Sequence, residues 1–591
     1  MAAPSDTDDE AEIRAIFADS SSDSDFEGFE VDDLYNSRTT VTITQAENDT
    51  EPLIDIHNGW SREDSPPLNS PFVGNTGLNV ELPDDPTVLD FFDLLFSDEM
   101  WNILVDQTNC YGDRRAQNIL SPFSRQRKWE PVTVDEMKVF IALVLAMGLT
   151  RKPDLIDYWS KDETCSTPFF GNNMTKDRFL LILSNLHLVD NNLVSTDRLY
   201  KIRPFINMCQ EKFQVYDPEQ KLSMDEATCP FKGRVVFRVY NPLKPNKFGI
   251  KIYQICESSS GYCICFDVYD GTQGAALYSE LVDTNPDHGQ TTKLVVGLLA
   301  RRGLLNKGHI IYVDNYYNSP TLAEELDAHD TYICGTVRVN RQGMPKAFPT
   351  VKLQPNETVF RRKSNVLVLK YHQKRDVHML STCHSATHTV LNKRNRRTGD
   401  PIFKPTPIVD YCKNMGGVDL SDQMLQYYDC LRRTVKWWKK LFFHLLNLLI
   451  LNAYKLYVKF GSPSAKRSHQ NFRSSLVAEL VKSAPNAPKP KSTAGRKPEP
   501  MDRLVPEGHY PIYIPAKPGA KRAHPQRDCV ACNVGVKERD GHKRRQTIYM
   551  CSKCERALCI PDCFRLYHTH KHYKRYLSPQ SVQDSSSLDS D

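Results

Sequence analysis

The 591 residues, 40% hydrophobic and 25% charged, have the composition of an ordinary soluble globular protein and the length for several separately cored domains. No apolar run reads as a membrane span: the best candidate, LFFHLLNLLILNAYKLY, is interrupted by His444, Asn447 and Asn452 and reads as a buried helix. The start, MAAPSDTDDEAE, lacks the basic and apolar regions of a secretory leader, so the 17 cysteines are expected in a reducing compartment, where clustered ones bind metal. A net charge of +4 hides an acidic head and a basic rear part carrying NKRNRR, KPKSTAGRK, GAKRAHPQR and GHKRRQ. That asymmetry points to a nucleic-acid binder, and the basic clusters to a nuclear location.

Residues 1–85 hold Ser/Asp/Glu tracts without periodicity and are expected to be disordered, having too little apolar surface to offset the entropy of ordering. From Thr87 to Val189, apolar residues recur at helical spacing, with Thr133 and Glu136 forming a capping-box pair and Thr175 a second helix start. Short β-rich segments follow: KLSMDE, VVFRVY, GIKIYQICES and YCICFDVYDG, with ESSSGY as a hairpin turn. TTKLVVGLLARRGLL reads as helix, HIIYVD as strand, NSPTLAEELDAHD as a helix opened by Pro320, and TYICGTVRV as strand. This is a mixed α/β arrangement. Residues 341–404 read as an irregular insertion with one hairpin, VLVLKYHQKRDVHMLSTCH. The chain is helical again after PIVDYCKNMGG through Phe460, with a further piece in NFRSSLVAELV. A Pro/Lys/Gly-rich linker, a Cys/His-rich module and an acidic, disordered tail complete it.

Asp225 in KLSMDEATCPFKGR and Asp314 in HIIYVDNYYNSP each end a predicted strand, and Asp419 in KNMGGVDLSDQM lies at a helix start with Asp422 three residues on. If the two strands are neighbours, both carboxylates emerge at one end of a sheet, and two hard cations held there would permit phosphoryl transfer on a nucleic acid. Taken one at a time, each is equally well an N-cap, a turn residue or half of an ion pair.

The second cluster is Cys529-x-x-Cys532, Cys551-x-x-Cys554, Cys559, Cys563 and His568, with His572 or His570 as the eighth ligand. Eight ligands hold two tetrahedral zinc ions, interleaved as in a RING or PHD cross-brace, and so short a module needs metal to fold. Read as RING or PHD, the module would make the chain a ubiquitin ligase or a chromatin reader, but that leaves the aspartates unexplained.

SMDEATCPFKGR, KFGIKIY, YVDNYYNSP, GTVRVNRQG, DYCKNMGGVDLSDQM and WWKKLFFHLLNLLILNAY together resemble the motif series of piggyBac-family DNA transposases. The resemblance implies an α/β fold: an RNase H-like mixed-sheet catalytic domain with an insertion, flanked by a split helical domain for DNA binding and dimerisation, plus the C-terminal zinc-binding cross-brace. On that pattern residues 1–85 are an acidic disordered region, 86–219 and 429–482 the helical domain, 220–340 and 406–428 the catalytic domain, 341–405 the insertion, 483–523 a basic linker, 524–576 the zinc domain and 577–591 a disordered tail. It implies that Asp225, Asp314 and Asp419 bind two catalytic Mg²⁺, with Asp422 a fourth functional acid, and that two structural Zn²⁺ fill the C-terminal module. The implied activity is cut-and-paste transposition by a nuclear homodimer on double-stranded DNA: binding terminal repeats, nicking and hairpinning the ends, and joining at TTAA. A host-adopted descendant that binds DNA without moving it is the alternative.

Basic and aromatic residues near these motifs are candidate DNA contacts: Lys244, Lys247, Lys251, Arg338, Arg341, Arg432, Arg433, Lys436, Lys543, Arg544 and Arg545 for phosphates, Trp437 or Trp438 for stacking on an unpaired base. Each tryptophan equally suits a helix anchor against the core.

Overall fold

The computed structural model describes residues 40–43, 53–118, 124–192, 195–242, 247–271, 288–346, 348–394, 399–430, 434–462, 468–490, 501–504, 507–516, 522–533, 545–570 and 573. The chain divides into two compact units, Met1–Pro490 and Lys491–Asp591.

In the first unit, helices α1 (Val88–Asp93), α2 (Asp98–Gln117), α3 (Val134–Leu149), α4 (Lys176–Asn185) and α5 (Arg203–Lys212) precede the sheet. Thr133 and Thr175 cap α3 and α4 as their sequence positions suggested, each side chain accepting from the backbone three residues on. Glu136 does not close a box with Thr133; it is buried and takes Arg178 in a two-pronged ion pair at 2.6 and 2.7 Å.

The sheet begins with β1 (Lys221–Pro230), β2 (Arg238–Tyr240), β3 (Phe248–Glu257) and β4 (Cys263–Val268), then α6 (Gln290–Arg301), β5 (Ile310–Val313), α7 (Pro320–Ala328) and β6 (Tyr332–Thr336). Strand order runs β4-β3-β1-β5-β6, antiparallel across β4, β3 and β1 and parallel across β1, β5 and β6. That is the mixed RNase H-like sheet. Parallel strands need crossovers, and α7 supplies the one from β5 to β6, its first turn set by Pro320 and capped by Ser319.

The stretch read as an irregular insertion is mostly strand. β7 (Thr358–Lys363), β8 (Val366–His372) and β9 (Asp376–Ser381) extend the central sheet by pairing β9 with β6, while β10 (Thr387–Arg394) and β11 (Pro401–Pro405) form a second sheet with Thr40–Thr42. The β8–β9 hairpin was visible locally. Its docking on β6 is a non-local pairing that no short window reports.

Helices α8 (Thr406–Asn414), α9 (Gly417–Gln426), α10 (Trp437–Phe460) and α11 (His469–Lys482) close the unit. By length and composition α10 passes as a membrane span, yet 78% of its apolar window is buried by protein. Its polar interruptions are used: Asn452 bonds both the N–H and the carbonyl of Cys263 at 2.9 Å, and Asn447 accepts from Arg473 at 3.0 Å.

The expectation of a disordered head through residue 85 is corrected for its last part. Residues 53–85 lie along the first unit as a strap: Trp60 is buried and donates to the Gly343 carbonyl at 3.1 Å, Phe72 packs edge-on against His309, and Asp64 takes Arg362 at 2.6 Å. Isolated anchors without periodicity carry this segment, so no periodic signal could reveal it.

In the second unit β12 (Pro511–Tyr513) pairs with β13 (Tyr549–Cys551), ahead of α12 (Asp562–Thr569). A small core of Cys529, Cys551, Leu558, Tyr567 and Tyr573 surrounds the cysteine clusters. The segment read as linker up to residue 523 therefore contributes a strand to this unit.

Candidate catalytic centre and metal clusters

Register brings the first two aspartates together. Met224 of β1 lies beside Val313 of β5 in a parallel pair, so Asp225 and Asp314 follow at the same level. β5 ends before Asp314, but Asp225, expected at a strand end, lies within β1 opposite Gln254 of β3, because β1 runs on to Pro230 along β3. The loop after Asp314 folds back on it: the Tyr316 N–H donates to Oδ1 at 3.0 Å. Burial pushes the Asp314 carboxyl up to about 7, the negative charge of Glu226 adds to that, and the loop amides and Lys251 pull against it.

Glu226, which the sequence reading passed over, is the hub behind this edge. It takes Lys251 at 2.9 Å and the Tyr317 hydroxyl at 2.8 Å, and Lys251 lies over the rings of Tyr253 and Tyr316 at 4.9 Å. The acidic residue directly after Asp225 was the available signal.

Helix α9 brings the other two acids along β1. Its start lies against Ser223 and the Glu257 carbonyl, close enough that only glycine fits at position 417. Asp419 is exposed in the first turn, and Asp422, half-buried, is near enough to Cys229 at the far end of β1 to help raise that thiol, whose main cause is burial. α9 thus runs over the stretch of β1 that contains Asp225. Among the described residues no three carboxylates lie within 4.8 Å of one another. The donor set is all oxygen, and the charge at Asp314 is one that a cation would offset, so the edge suits hard divalent ions such as Mg²⁺.

The candidate DNA contacts divide. Lys247 is exposed beside β3. Arg338 and Arg341 are half-buried and hold the Asp314 loop: Arg338 donates to the Asn315 side chain at 3.3 Å, and Arg341 to the Asn315 carbonyl at 3.0 Å and to that of Tyr316. Trp437 is half-buried edge-on against Phe237, and Trp438 is buried beside His187. Lys251 is occupied as described, Lys436 and Arg545 are exposed, and Lys244, Arg432, Arg433, Lys543 and Arg544 lie outside the described residues.

In the second unit two four-residue clusters form, each with its ligand atoms within 4.8 Å of one another: Cys529, Cys532, Cys559 and Cys563; and His509, Cys551, Cys554 and His568. A tetrahedral zinc with Zn–S bonds near 2.3 Å sets its ligand atoms about 3.8 Å apart. Here Cys532 and Cys559 are 4.0 Å apart, and Cys554 and His568 Nε2 3.7 Å. The His568 Nδ1 lies 2.8 Å from the Phe564 carbonyl, an orientation that turns Nε2 towards the cysteines. The ligands interleave along the chain as a cross-brace.

The expected eighth ligand, His572 or His570, is replaced by His509, whose Nδ1 lies 3.3 Å from both Cys551 and Cys554. The β12–β13 pairing carries it there. The His570 ring instead meets the Thr569 hydroxyl at 2.7 Å, and His572 lies outside the described residues.

The family model described as Transposase IS4 matches residues 87–454, and one described as a DDE_Tnp_1-like zinc finger matches 520–569. Similar human proteins include PiggyBac transposable element-derived protein 5, 26% identical over 72% of this chain and 81% of that protein. PiggyBac transposable element-derived protein 3 is 24% identical over 82% of this chain and 76% of its own length. Among solved structures, a piggyBac transposase in a synaptic complex with hairpin DNA superposes with a TM-score of 0.61 at 22% identity, over 82% of this chain and 97% of that one. The sheet order, the aspartate-bearing edge, the paired Cys/His clusters and these matches place the chain in the piggyBac family of IS4-like DDE transposases.

Proposed function

We propose that the chain is a metal-dependent DNA strand transferase that cuts and rejoins transposon ends at Asp225, Asp314 and Asp419. The observation that carries this is the β1–β5 register, which sets two carboxylates at one level where β5 ends, with a helix carrying the third acid laid along β1. Mg²⁺ bound there supplies Lewis acidity to a phosphodiester, activating the attacking hydroxyl and offsetting charge on the leaving oxygen. The protein's own part is positioning. The Tyr316 amide fixes one Asp314 oxygen, Arg338 and Arg341 stiffen the loop, and the Glu226–Lys251 pair keeps a positive charge near the edge. Substrate binding to Lys247 and to the zinc unit, dimer formation, TTAA targeting and a nuclear location belong to the same proposal.

A second reading, DNA binding without strand transfer, draws support from the relatives' names, which describe proteins derived from transposable elements. One experiment separates them. Wild-type protein with Mg²⁺ should nick and hairpin transposon-end DNA, and Asp314→Ala should lose that while still binding the DNA. Inert wild-type protein that binds the same DNA favours the second reading, and an active Asp314→Ala variant refutes the site.

A further inference from the structure

A cluster of reactive groups away from the aspartate edge has no part in the proposed chemistry. Cys383 and His384 sit in the loop after β9, and Asp410 faces them from α8. The His384 Nδ1 lies 3.3 Å from Cys383 Sγ and 2.8 Å from Ser381 Oγ, and its Nε2 lies 3.3 Å from Asp410 Oδ2. Ser381 Oγ is itself 3.5 Å from the sulfur. Thiol, imidazole and carboxylate thus stand in line, the order that activates a cysteine nucleophile in enzymes.

The imidazole is held in its charged form. Burial opposes that, but the neighbouring sulfur and the bond to Asp410 outweigh it and raise His384 well above its ordinary range. Asp410 is held ionised by Lys221 at 2.7 Å, besides His384. Cys383 is half-buried rather than sealed, so a small electrophile can reach it.

We propose that Cys383 is a modification site for hydroperoxides, with His384 as its acid and Asp410 as the group that orients His384. The Cys383 thiolate, its proton already passed to His384, attacks one oxygen of hydrogen peroxide and the O–O bond breaks. Sulfur is oxidised to sulfenic acid, and the departing hydroxide takes the Nδ1 proton of His384 and leaves as water, leaving a neutral imidazole. The peroxide is the oxidant, and no other reactant is needed.

Asp410 also takes the Tyr312 hydroxyl and the Asn414 side chain. It therefore ties together β1, β5 and α8, the two strands that carry Asp225 and Asp314 and the helix that leads into α9. Oxidation replaces a thiolate–imidazolium pair by two neutral groups, so Asp410 loses the cation it faces at His384. The assignment of Cys383 stands independently of strand-transfer activity.

The test uses full-length protein, limiting hydrogen peroxide, dimedone to trap sulfenic acid, and peptide mass spectrometry. Cys165, which is exposed, serves as the internal reference. Cys383 should be trapped at least about tenfold faster than Cys165. His384→Gln should remove that advantage while leaving Cys165 trapping unchanged. Equal rates in the wild-type protein, or an undiminished Cys383 rate in His384→Gln, would overturn the proposal. Should His384→Gln fail to fold, the wild-type ratio decides alone.

Discussion

Gly417 offers the sharpest test of how α9 is held against the sheet. A Cβ there would stand 2.4 Å from Ser223 Oγ, 3.0 Å from the Glu257 carbonyl oxygen and 3.3 Å from Ser258 Cα. Ser223 Oγ can rotate away, but the other two atoms are backbone and cannot. On helix propensity alone, Gly417→Ala would gain up to about 1 kcal/mol. Forcing a methyl group into a closed contact costs about 1–3 kcal/mol. The clash wins because these two backbone atoms cannot yield, leaving the unit up to about 2 kcal/mol less stable and α9 lifted off β1. Asp419 is two residues along that helix. A misplacement approaching 1 Å costs catalysis about a hundredfold, so a lift of a few tenths of an ångström should cost about tenfold or more in strand cleavage. Gly416 is the control, because nothing lies within 4 Å of the position its Cβ would take, and its φ of −74° suits any residue. Gly416 is the N-cap of α9, where alanine is a poorer cap, so Gly416→Ala should lose up to about 1 kcal/mol but keep its activity. Thermal unfolding and cleavage of end DNA, measured on both variants, decide it. A Gly417→Ala protein that melts and cleaves like wild type refutes the argument.

Native mass spectrometry should count two zinc ions in the wild-type second unit, one in His509→Ala and two in His570→Ala; two ions retained by His509→Ala would return the eighth ligand to the C-terminal histidines. Asp64→Ala should lower stability by about 3 kcal/mol, because it strands the Arg362 guanidinium, 3% exposed, without its carboxylate; an unchanged melting temperature would mean the strap carries no energy. Between about pH 4.5 and 6.5 the melting temperature should rise with pH. Burial depresses His187, His309 and His444 to about 4 and His469 to about 3, so the unfolded chain takes up their protons first and stability is lost as pH falls through 6.5 towards 4. Asp93, raised to about 6 chiefly by burial, Asp314 and Asp327 oppose this, but three raised carboxyls are outnumbered by these four histidines and His388, which burial also lowers; a flat or falling profile contradicts the balance. Asp314→Asn should stabilise the metal-free protein by about 1–2 kcal/mol at pH 7.5, where the native carboxyl is ionised against its raised value; calorimetry without divalent ions showing a loss would count against an anionic, cation-seeking edge.

What could be read in the sequence follows from range. The strands at Lys221–Pro230 and Ile310–Val313 and the cap at Thr175 were legible because alternation and capping are local signals. The pairing of β1 with β5 had to be supposed, and the register bears it out. The cysteine ligands were legible from their spacing. His509 was not, since only the β12–β13 pairing carries it to Cys551 and Cys554. Arg338 and Arg341 were named as phosphate contacts from their sequence proximity to the site; that they also bond the loop after Asp314 depends on a fold-back that no short window reports. Trp438 shows the same limit: an aromatic next to lysines suits stacking or packing, and only the helices around it decide for packing.

Collecting like charges at one edge is costly, and the fold handles the cost unevenly. Asp225 and Asp314 are partly covered, with Glu226 close behind them, and the nearby cation of Lys251 is drawn onto Glu226 at 2.9 Å rather than onto the aspartates. Had a lysine paired with Asp314 directly, its carboxyl would sit in the ordinary acidic range and the edge would be stable, but its charge would be spent. Leaving it raised to about 7 keeps stabilisation in reserve for a cation that arrives from outside. Asp419 lies on the exposed face of α9, in solvent. A third buried carboxylate at this edge would have added a desolvation cost that Lys251, already engaged by Glu226, could not offset. Placing the third acid on a helix laid over the sheet avoids that cost, and makes the close contact at Gly417 the feature on which the spacing of the three depends.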